Sequence, residues 1–158
     1  MQTLHGASDS PLWLDALRDG LAFAHGKLVA ALAANFSEVQ LKNPAASGVI
    51  VLVYKINVGA PAGVTVQLRR HDADLATDAG AGTNLQIGGA AAAAHVFTDQ
   101  LAAASGTLIS ELHRPTNTDP QRFPSWCAEL DAGEAIVITT DAVNQAVSAE
   151  FFWIELPA

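Results

Sequence analysis

Hydrophobic and polar residues alternate along most of the chain after residue 21, and this period of two predicts β-strands. The clearest alternation is "VTVQLRR", where Val64, Val66 and Leu68 share one face and polar side chains share the other. The segment "VIVLVYKINV", residues 49–58, is apolar on both faces, which predicts a central strand that is covered on both sides. Strict alternation places on one of its faces Val49, Val51 and Val53, and on the other Ile50, Leu52, Tyr54, Ile56 and Val58.

Four later segments also have strand patterns, namely residues 107–113, 125–130, 135–140 and 147–156. Residues 115–124 contain three prolines, which predicts a loop because proline cannot donate a hydrogen bond inside a sheet. The sequence "DAGE", residues 131–134, predicts a hairpin turn before the strand at 135–140. We expect Trp126 and Cys127 to face the core.

The middle of the chain is rich in alanine and glycine, and its pattern is the least regular. We predict short strands at residues 84–87 and 91–97, separated by Gly88 and Gly89. A helix over residues 90–104 is the alternative, because alanine has the highest helix propensity.

The first twenty residues predict an arm that contains a short helix. Asp9 or Ser10 is a suitable N-cap, Pro11 suits the first turn, and Gly20 suits the exit. A helix this short is marginal alone, so we expect it to lie on the domain or on a neighbouring subunit. The candidate interface residues are Leu12, Trp13, Leu14 and Leu17.

Together these segments give eight or nine short strands with turn residues between them, which is typical of an all-β antiparallel sandwich. The long crossing over residues 72–104 favours jelly-roll or Greek-key connections. The predicted organisation is therefore an arm over residues 1–20, followed by one β-sandwich domain over residues 21–158.

Charge narrows the classes of partner. The 158 residues include 16 acidic and 8 basic side chains, for a net charge of −8, and the basic residues are scattered. Nucleic-acid backbones require clustered Lys and Arg, so we expect no nucleic-acid partner. The apolar run at residues 48–59 is too short to span a bilayer, and the opening residues lack a signal-peptide pattern, so we expect no membrane partner.

Few residues have the types and spacings that chemistry requires. Cys127 is the single cysteine, so the chain has no intrachain disulfide or Cys-rich zinc site, and a buried, inert thiol is expected. No nucleophile or phosphate-binding motif is present, and the histidines lack metal-pair spacing; they are His5, His25, His71, His95 and His113. We therefore predict a protein that is not an enzyme, with no catalytic, cofactor-binding or metal-binding residues.

Two acidic patterns leave alternatives open. Asp72 and Asp74 alternate as calcium ligands do, but the glycine and the later glutamate of an EF-hand are missing. A polar strand end is the favoured interpretation, and a surface calcium site is the alternative. A carboxylate pair for glycoside cleavage would have to come from residues that otherwise fit strand faces and turns: Glu111, Glu129, Asp131 and Glu134.

Several motifs resemble those of β-sandwich virion proteins of tailed bacteriophages. They are the turn "VQLKNPAASG", the valine-rich strand after it, the turn "LDAGE" and the closing strand "AEFFWIELP", and the resemblance covers about residues 35–156. It implies a structural role, with no catalytic residues to carry over.

Within that family, the resemblance favours a head decoration (cement) protein that covers seams between major capsid subunits. It implies assembly in the host cytoplasm, location in the virion, and a homo-oligomer, with a trimer favoured. One alternative is a tail- or fibre-associated module that recognises a host glycan or receptor. Another is a cupin-like or glycan-cleaving enzyme.

Overall fold

The computed structural model describes residues 11–113 and 121–158. This part of the chain forms one short helix and twelve strands in two antiparallel sheets, which confirms the predicted all-β sandwich with a short helix before it. The elements are α1 (Pro11–Arg18), β1 (Ala22–Val29), β2 (Phe36–Lys42), β3 (Val49–Gly59), β4 (Thr65–Arg70), β5 (Thr77–Ala81), β6 (Thr83–Asn84), β7 (His95–Leu101), β8 (Thr107–His113), β9 (Gln121–Phe123), β10 (Ala128–Leu130), β11 (Ala135–Thr140) and β12 (Val147–Pro157).

The two sheets have six strands each. Sheet A has the order β10-β3-β12-β1-β6, with β9 also paired to β3, and sheet B has the order β5-β7-β2-β11-β4-β8. Among the described strands, no two that follow one another in the chain are paired. Every pairing is therefore non-local, and we expect slow folding because distant segments must meet before either sheet can form.

The core fills the space between the sheets. Its largest fully buried side chains include Trp153 and Phe151 from sheet A and Leu41 and Ile138 from sheet B. Every residue of β11 is buried. This strand lies at the centre of sheet B, so one face contacts the core, and the other face is covered as described below.

A bulge in β3 corrects the predicted faces of the central strand. Phe152 of β12 is paired with Lys55, but the next residue, Trp153, is paired with Val53, so Tyr54 is an extra residue in β3. The bulge shifts the alternation by one position. As a result Ile56 and Val58 join Val51 and Val53 in the core, contrary to the prediction.

The middle of the chain also differs from the prediction. Its strands are Thr77–Ala81, Thr83–Asn84 and His95–Leu101. The strands predicted at residues 84–87 and 91–97 therefore have other bounds, and the alternative helix at residues 90–104 does not form. All seven residues of β7 pair with β2, and this tertiary pairing outweighs the helix propensity of the alanines. Gly82 is required at the turn between β5 and β6, because a β-carbon there would overlap the ring of Trp153.

Two turn predictions are corrected by the topology. The predicted loop at residues 115–124 includes strand β9, in which Phe123 is buried, while residues 114–120 lie outside the described part. Residues 131–134 do form a turn, in which the Glu134 amide donates to the Asp131 carbonyl at 3.0 Å. The turn joins β10 of sheet A to β11 of sheet B, so it is an arch between sheets rather than a hairpin.

Candidate interaction surfaces

Helix α1 lies on the outer face of sheet A, which we call the aromatic face and define by Tyr54, Phe152 and Ile154. The ring of Trp13 stacks on Tyr54, with centroids 4.5 Å apart and planes 15° apart. Trp13 also makes an edge-to-face contact with Phe152, with ring centroids 6.5 Å apart. Tyr54 is the extra residue of the β3 bulge, and its ring lies on the outer face beside Leu52, where the helix packs on it.

The structure separates the four candidate interface residues into two groups. Trp13 is 7% exposed, and the partly buried Leu17 packs against the same cluster. Leu12 and Leu14 are 43% and 48% exposed. Residues 13, 16 and 17 form one helical stripe, so α1 docks on its own domain with that stripe and presents Leu12 and Leu14 to the solvent.

Trp126 does not face the core, contrary to the prediction. Its side chain is 37% exposed, and its ring meets the edge of Tyr54 with centroids 5.1 Å apart. The backbone of Trp126 has a φ of 59°, and its amide donates to the Tyr54 carbonyl at 2.9 Å. A residue with a bulky side chain rarely adopts this left-handed backbone conformation. The alternation of apolar and polar residues does not indicate it.

A cleft of ≈ 200 Å³ opens between the sheets beside β10 and β8. Its apolar wall includes Ile109, Cys127, Leu130 and Ile136. Burial raises the pKa of the Cys127 thiol to about 11, so the thiol is protonated at neutral pH and is a poor nucleophile. Cys127 is partly buried rather than fully buried as predicted, and it packs against the core cluster at the wall of this cleft.

The rim of the cleft carries an ion-pair network around Arg70. Its guanidinium lies 2.5 Å from Glu134 and 3.2 Å from Asp72. The pKa of Arg70 is raised, first by its hydrogen bond to Asp72 and then by the charges of both carboxylates. The second carboxylate oxygen of Glu134 accepts the Asp131 amide at 3.0 Å, so Glu134 serves the turn as well as the ion pair.

Three of the other candidate acids also have side-chain partners within the fold, and Glu129 lines the cleft. Asp72 accepts the Ala135 amide at 3.1 Å, and Asp74 pairs with Lys42. Glu111 accepts a hydrogen bond from Gln67 at 2.8 Å.

The histidines are spread over the structure. His25 Nδ1 lies 3.1 Å from the Ala81 carbonyl, and His95 Nδ1 lies 3.0 Å from Asp78. Across residues 11–113 and 121–158, no three His, Cys, Asp or Glu side chains are grouped so that they could hold a metal ion. His5 lies outside the described residues.

The outer face of sheet B is covered by loop backbone, and we call it the polar face, defined by Glu38, Gln40, Arg69 and Thr139. Gln40 Nε2 donates to the carbonyls of His71 at 2.7 Å and Ala73 at 2.8 Å, and its Oε1 accepts the Leu75 amide. Arg69 and Glu38 hold a second loop at Ser105. Arg69 Nε donates to the Ser105 carbonyl at 2.7 Å, and Glu38 Oε1 accepts a hydrogen bond from the Ser105 amide at 2.7 Å. The alternation of apolar and polar residues does not indicate this network.

Asn43 joins the two turn motifs that support the resemblance. Its side-chain amide donates to the carbonyls of Val49 at 2.8 Å and Leu130 at 3.0 Å, both in sheet A. Its backbone amide donates to the Glu134 carbonyl, and its carbonyl accepts the Gly133 amide. The "NPAASG" and "LDAGE" turns are therefore one structural unit that links the sheets.

Comparisons with known proteins identify no relative: no family model, no curated protein and no solved structure matches this chain. The resemblance to phage virion proteins stays a prediction that rests on the motifs. Of the described residues, none belongs to a helix long and apolar enough to cross a membrane.

Proposed function

We propose that this chain is a structural protein of a tailed-phage virion, a decoration protein that covers seams between capsid subunits. It has no catalytic role and acts through contact surfaces. The turn motifs that resemble those of virion β-sandwich proteins support this proposal, and Asn43 joins them into one unit between the two sheets.

The observation that carries the proposal is the pair of exposed leucines on α1. Trp13 fixes the helix on the aromatic face, and Leu12 and Leu14 then project from a rigid support. Apolar side chains held in place before binding lose little conformational entropy when a partner covers them. This arrangement suits a contact with the major capsid protein.

Binding to capsids tests the proposal. Labelled protein added to heads of the phage that encodes it should sediment with them, and negative-stain images should show the label on the head. The double variant Leu12→Asp, Leu14→Asp should reduce occupancy at least tenfold, because each aspartate would be buried without a partner. Ile87→Asp, at an exposed position on the loop after β6, is the matched control and should bind as the unmodified protein does.

Absence of label from the head would contradict the decoration role, and absence from both head and tail would contradict any role in the virion. Deletion of residues 1–20 is a poor substitute for the double variant, because it would remove Trp13 and Ala16 and uncover the aromatic face. The unmodified protein, the double leucine variant and the Ile87→Asp control should have the same circular dichroism spectrum and unfolding midpoint before their binding is compared.

The exposed ring of Trp126 favours a second candidate, a tail- or fibre-associated module that recognises a host glycan. Exposed aromatic rings stack on sugar faces, and the backbone strain at Trp126 is typical of functional positions. Phe123 takes no part, because it is buried in β9. A glycan array should then show binding that Trp126→Ala abolishes and Val143→Ala, at another exposed position, retains.

A further inference from the structure

The turn after β6 carries the most exposed large apolar side chain among the described residues, Ile87, which is 103% exposed. The turn covers residues 86–89, and the Gly89 amide closes it on the Gln86 carbonyl at 3.0 Å. Gly88 has a φ of 81°, which is the positive value that a type II turn requires at its third position. Ile87 therefore projects from the tip of a tight turn, and we call this side chain the knob.

Hydrogen bonds hold the turn against helix α1. The Asn84 side chain donates to the Gly20 carbonyl at 2.8 Å and accepts the Gln86 amide at 2.9 Å. The Gln86 side chain donates to the Arg18 carbonyl at 2.9 Å. Because the turn is fixed before binding, the knob loses little conformational entropy when a partner covers it.

The cleft between the sheets has room for such a side chain. Its volume is ≈ 200 Å³, whereas a water molecule takes about 30 Å³ in the liquid, so the four carbon atoms of an isoleucine side chain fit inside. Ile109 lines the cleft as the extra residue of a bulge in β8, and it is 54% exposed. An inserted apolar side chain would cover Ile109 and the partly buried Cys127, and burial of such surface favours binding.

The knob and the cleft lie at opposite edges of the sandwich. The knob follows β6, the last strand at one edge of sheet A, and the cleft lies beside β10 at the other edge and β8 of sheet B. The knob therefore cannot reach the cleft of its own chain. Copies joined knob to cleft make a head-to-tail contact, which closes into a ring where the rotation between copies allows it.

One pair of charges beside the two surfaces is complementary. Next to the knob, the Arg18 side chain is 79% exposed, and it lies 3.6 Å from Asp15, which is also exposed. At the cleft, Glu134 already pairs with Arg70, whereas Glu129 is exposed to a partner. An ion pair between Arg18 of one copy and Glu129 of the next would fix the orientation of the contact.

We propose that Ile87 of one copy inserts into the cleft of a second copy, with Arg18 of the first copy beside Glu129 of the second. This inference does not depend on the virion role. A ring of three copies would be built from this kind of contact, so the proposal is compatible with the trimer that the resemblance favours. Each copy would contact a capsid through its own Leu12 and Leu14, so loss of the knob should leave capsid binding in place.

An engineered disulfide tests which surfaces meet. Cys127 lies in the cleft and is the single cysteine, so Ile87→Cys adds one thiol, on the knob. Oxidation of this full-length variant should give a ladder of oligomers on non-reducing gels, with position 87 joined to Cys127 of another copy in peptide maps. Leu28→Cys, at an exposed position at the far end of β1, is the matched control and should give no ladder. No ladder from Ile87→Cys, or links of position 87 only to itself, would overturn the proposal.

Sedimentation velocity over a wide concentration range measures the strength of the contact. The unmodified protein should associate, and Ile87→Asp should weaken this at least tenfold, because it puts an unpaired charge in an apolar cleft. Ile109→Asp, at the cleft wall, should weaken association by a similar factor, whereas the exposed neighbour Leu108→Asp is the control. A mixture of the two defective variants should form a dimer with one copy of each, from the remaining knob and the remaining cleft. A monomer at all concentrations would overturn the proposal.

An exchange of charges tests the orientation. Arg18→Glu should weaken association about threefold, because it places a glutamate beside Glu129 at an exposed margin. Adding Glu129→Arg should restore the affinity, whereas adding Glu111→Arg, outside the cleft, should not. Equal association of all these variants would overturn the proposed orientation. No capsid is present in these measurements, so their failure leaves the decoration role untouched, and a failure to bind capsids leaves the contact between copies untouched.

Discussion

The two outer faces of the sandwich are closed by opposite means. On the aromatic face, a helix packs Trp13 onto Tyr54 and Phe152, and non-directional contact between apolar surfaces holds it. On the polar face, Gln40 and Arg69 bind the carbonyls of two loops, and directional hydrogen bonds hold those loops. A sheet can therefore be buried on both sides without apolar residues on both sides, provided that most of its buried polar groups have hydrogen-bond partners.

The largest expected effect is on the aromatic face. Trp13→Ala should destabilise the protein by about 3 kcal/mol, because it removes the buried ring that fixes α1. Urea denaturation measures the loss, and hydrogen exchange over Pro11–Arg18 should accelerate more than exchange in the sheets. Leu14→Ala is the matched control on the exposed side of the helix and should cost less than about 0.5 kcal/mol. Equal effects of the two changes would mean that the helix is not held by Trp13.

Loss of Gln40 should have the next largest effect. Gln40→Met keeps the length of the side chain but leaves the carbonyls of His71 and Ala73 and the Leu75 amide without their partner. We expect a loss of about 2 kcal/mol, measured by thermal and urea unfolding. Gln145→Met, outside the polar face, is the control and should be nearly neutral. If Gln40→Met is neutral too, hydrogen bonds do not close this face.

Glu38 tests whether the polar face is optimal. Its Oε1 accepts the Ser105 amide, whereas Oε2 is buried and accepts no hydrogen bond from the described residues. Glu38→Gln retains an oxygen for Ser105 and removes a buried charge, so we expect a gain of about 1 kcal/mol at pH 7. Glu38→Leu, which also removes the acceptor, should be less stable than Glu38→Gln. A destabilised Gln variant would show that the charge itself is required.

The smallest effect is expected at the exposed margin of the polar face, where Asp78 pairs with His95. Burial alone would raise the pKa of Asp78, but the Gly80 amide and the nearby His95 outweigh it, and the pKa is lowered. A lowered carboxylate pKa stabilises the fold above the unfolded value of about 3.9, and the contribution is lost as the pH falls through the folded value.

Asp78→Asn should therefore cost less than about 0.5 kcal/mol at pH 7, since the side chain is half exposed and solvent screens the pair. The difference between the two proteins should begin to shrink as the pH falls below about 3.9. Unfolding midpoints measured between pH 2 and pH 7 would show this convergence. A difference that does not shrink on acidification would mean that Asp78 acts through packing.

The sequence by itself determined the fold class and most of the strands. Alternation located β4 and β11, and the turn residues located the change of direction at residues 131–134, because these signals are local and depend only on neighbouring residues. The short helix was also predictable from Pro11 and Gly20, which fit its ends.

Only the tertiary structure decided which faces of these strands are covered, and by what. A single extra residue at Tyr54 moved Ile56 and Val58 into the core, while Tyr54 itself stayed on the outer face with Leu52, where it meets Trp13. Pairing between distant strands placed β7 on β2 despite the helix propensity of its alanine-rich flank. The physical reason is that bulges, strand neighbours and loop cover are set by contacts between residues far apart in the chain, and no local pattern encodes them.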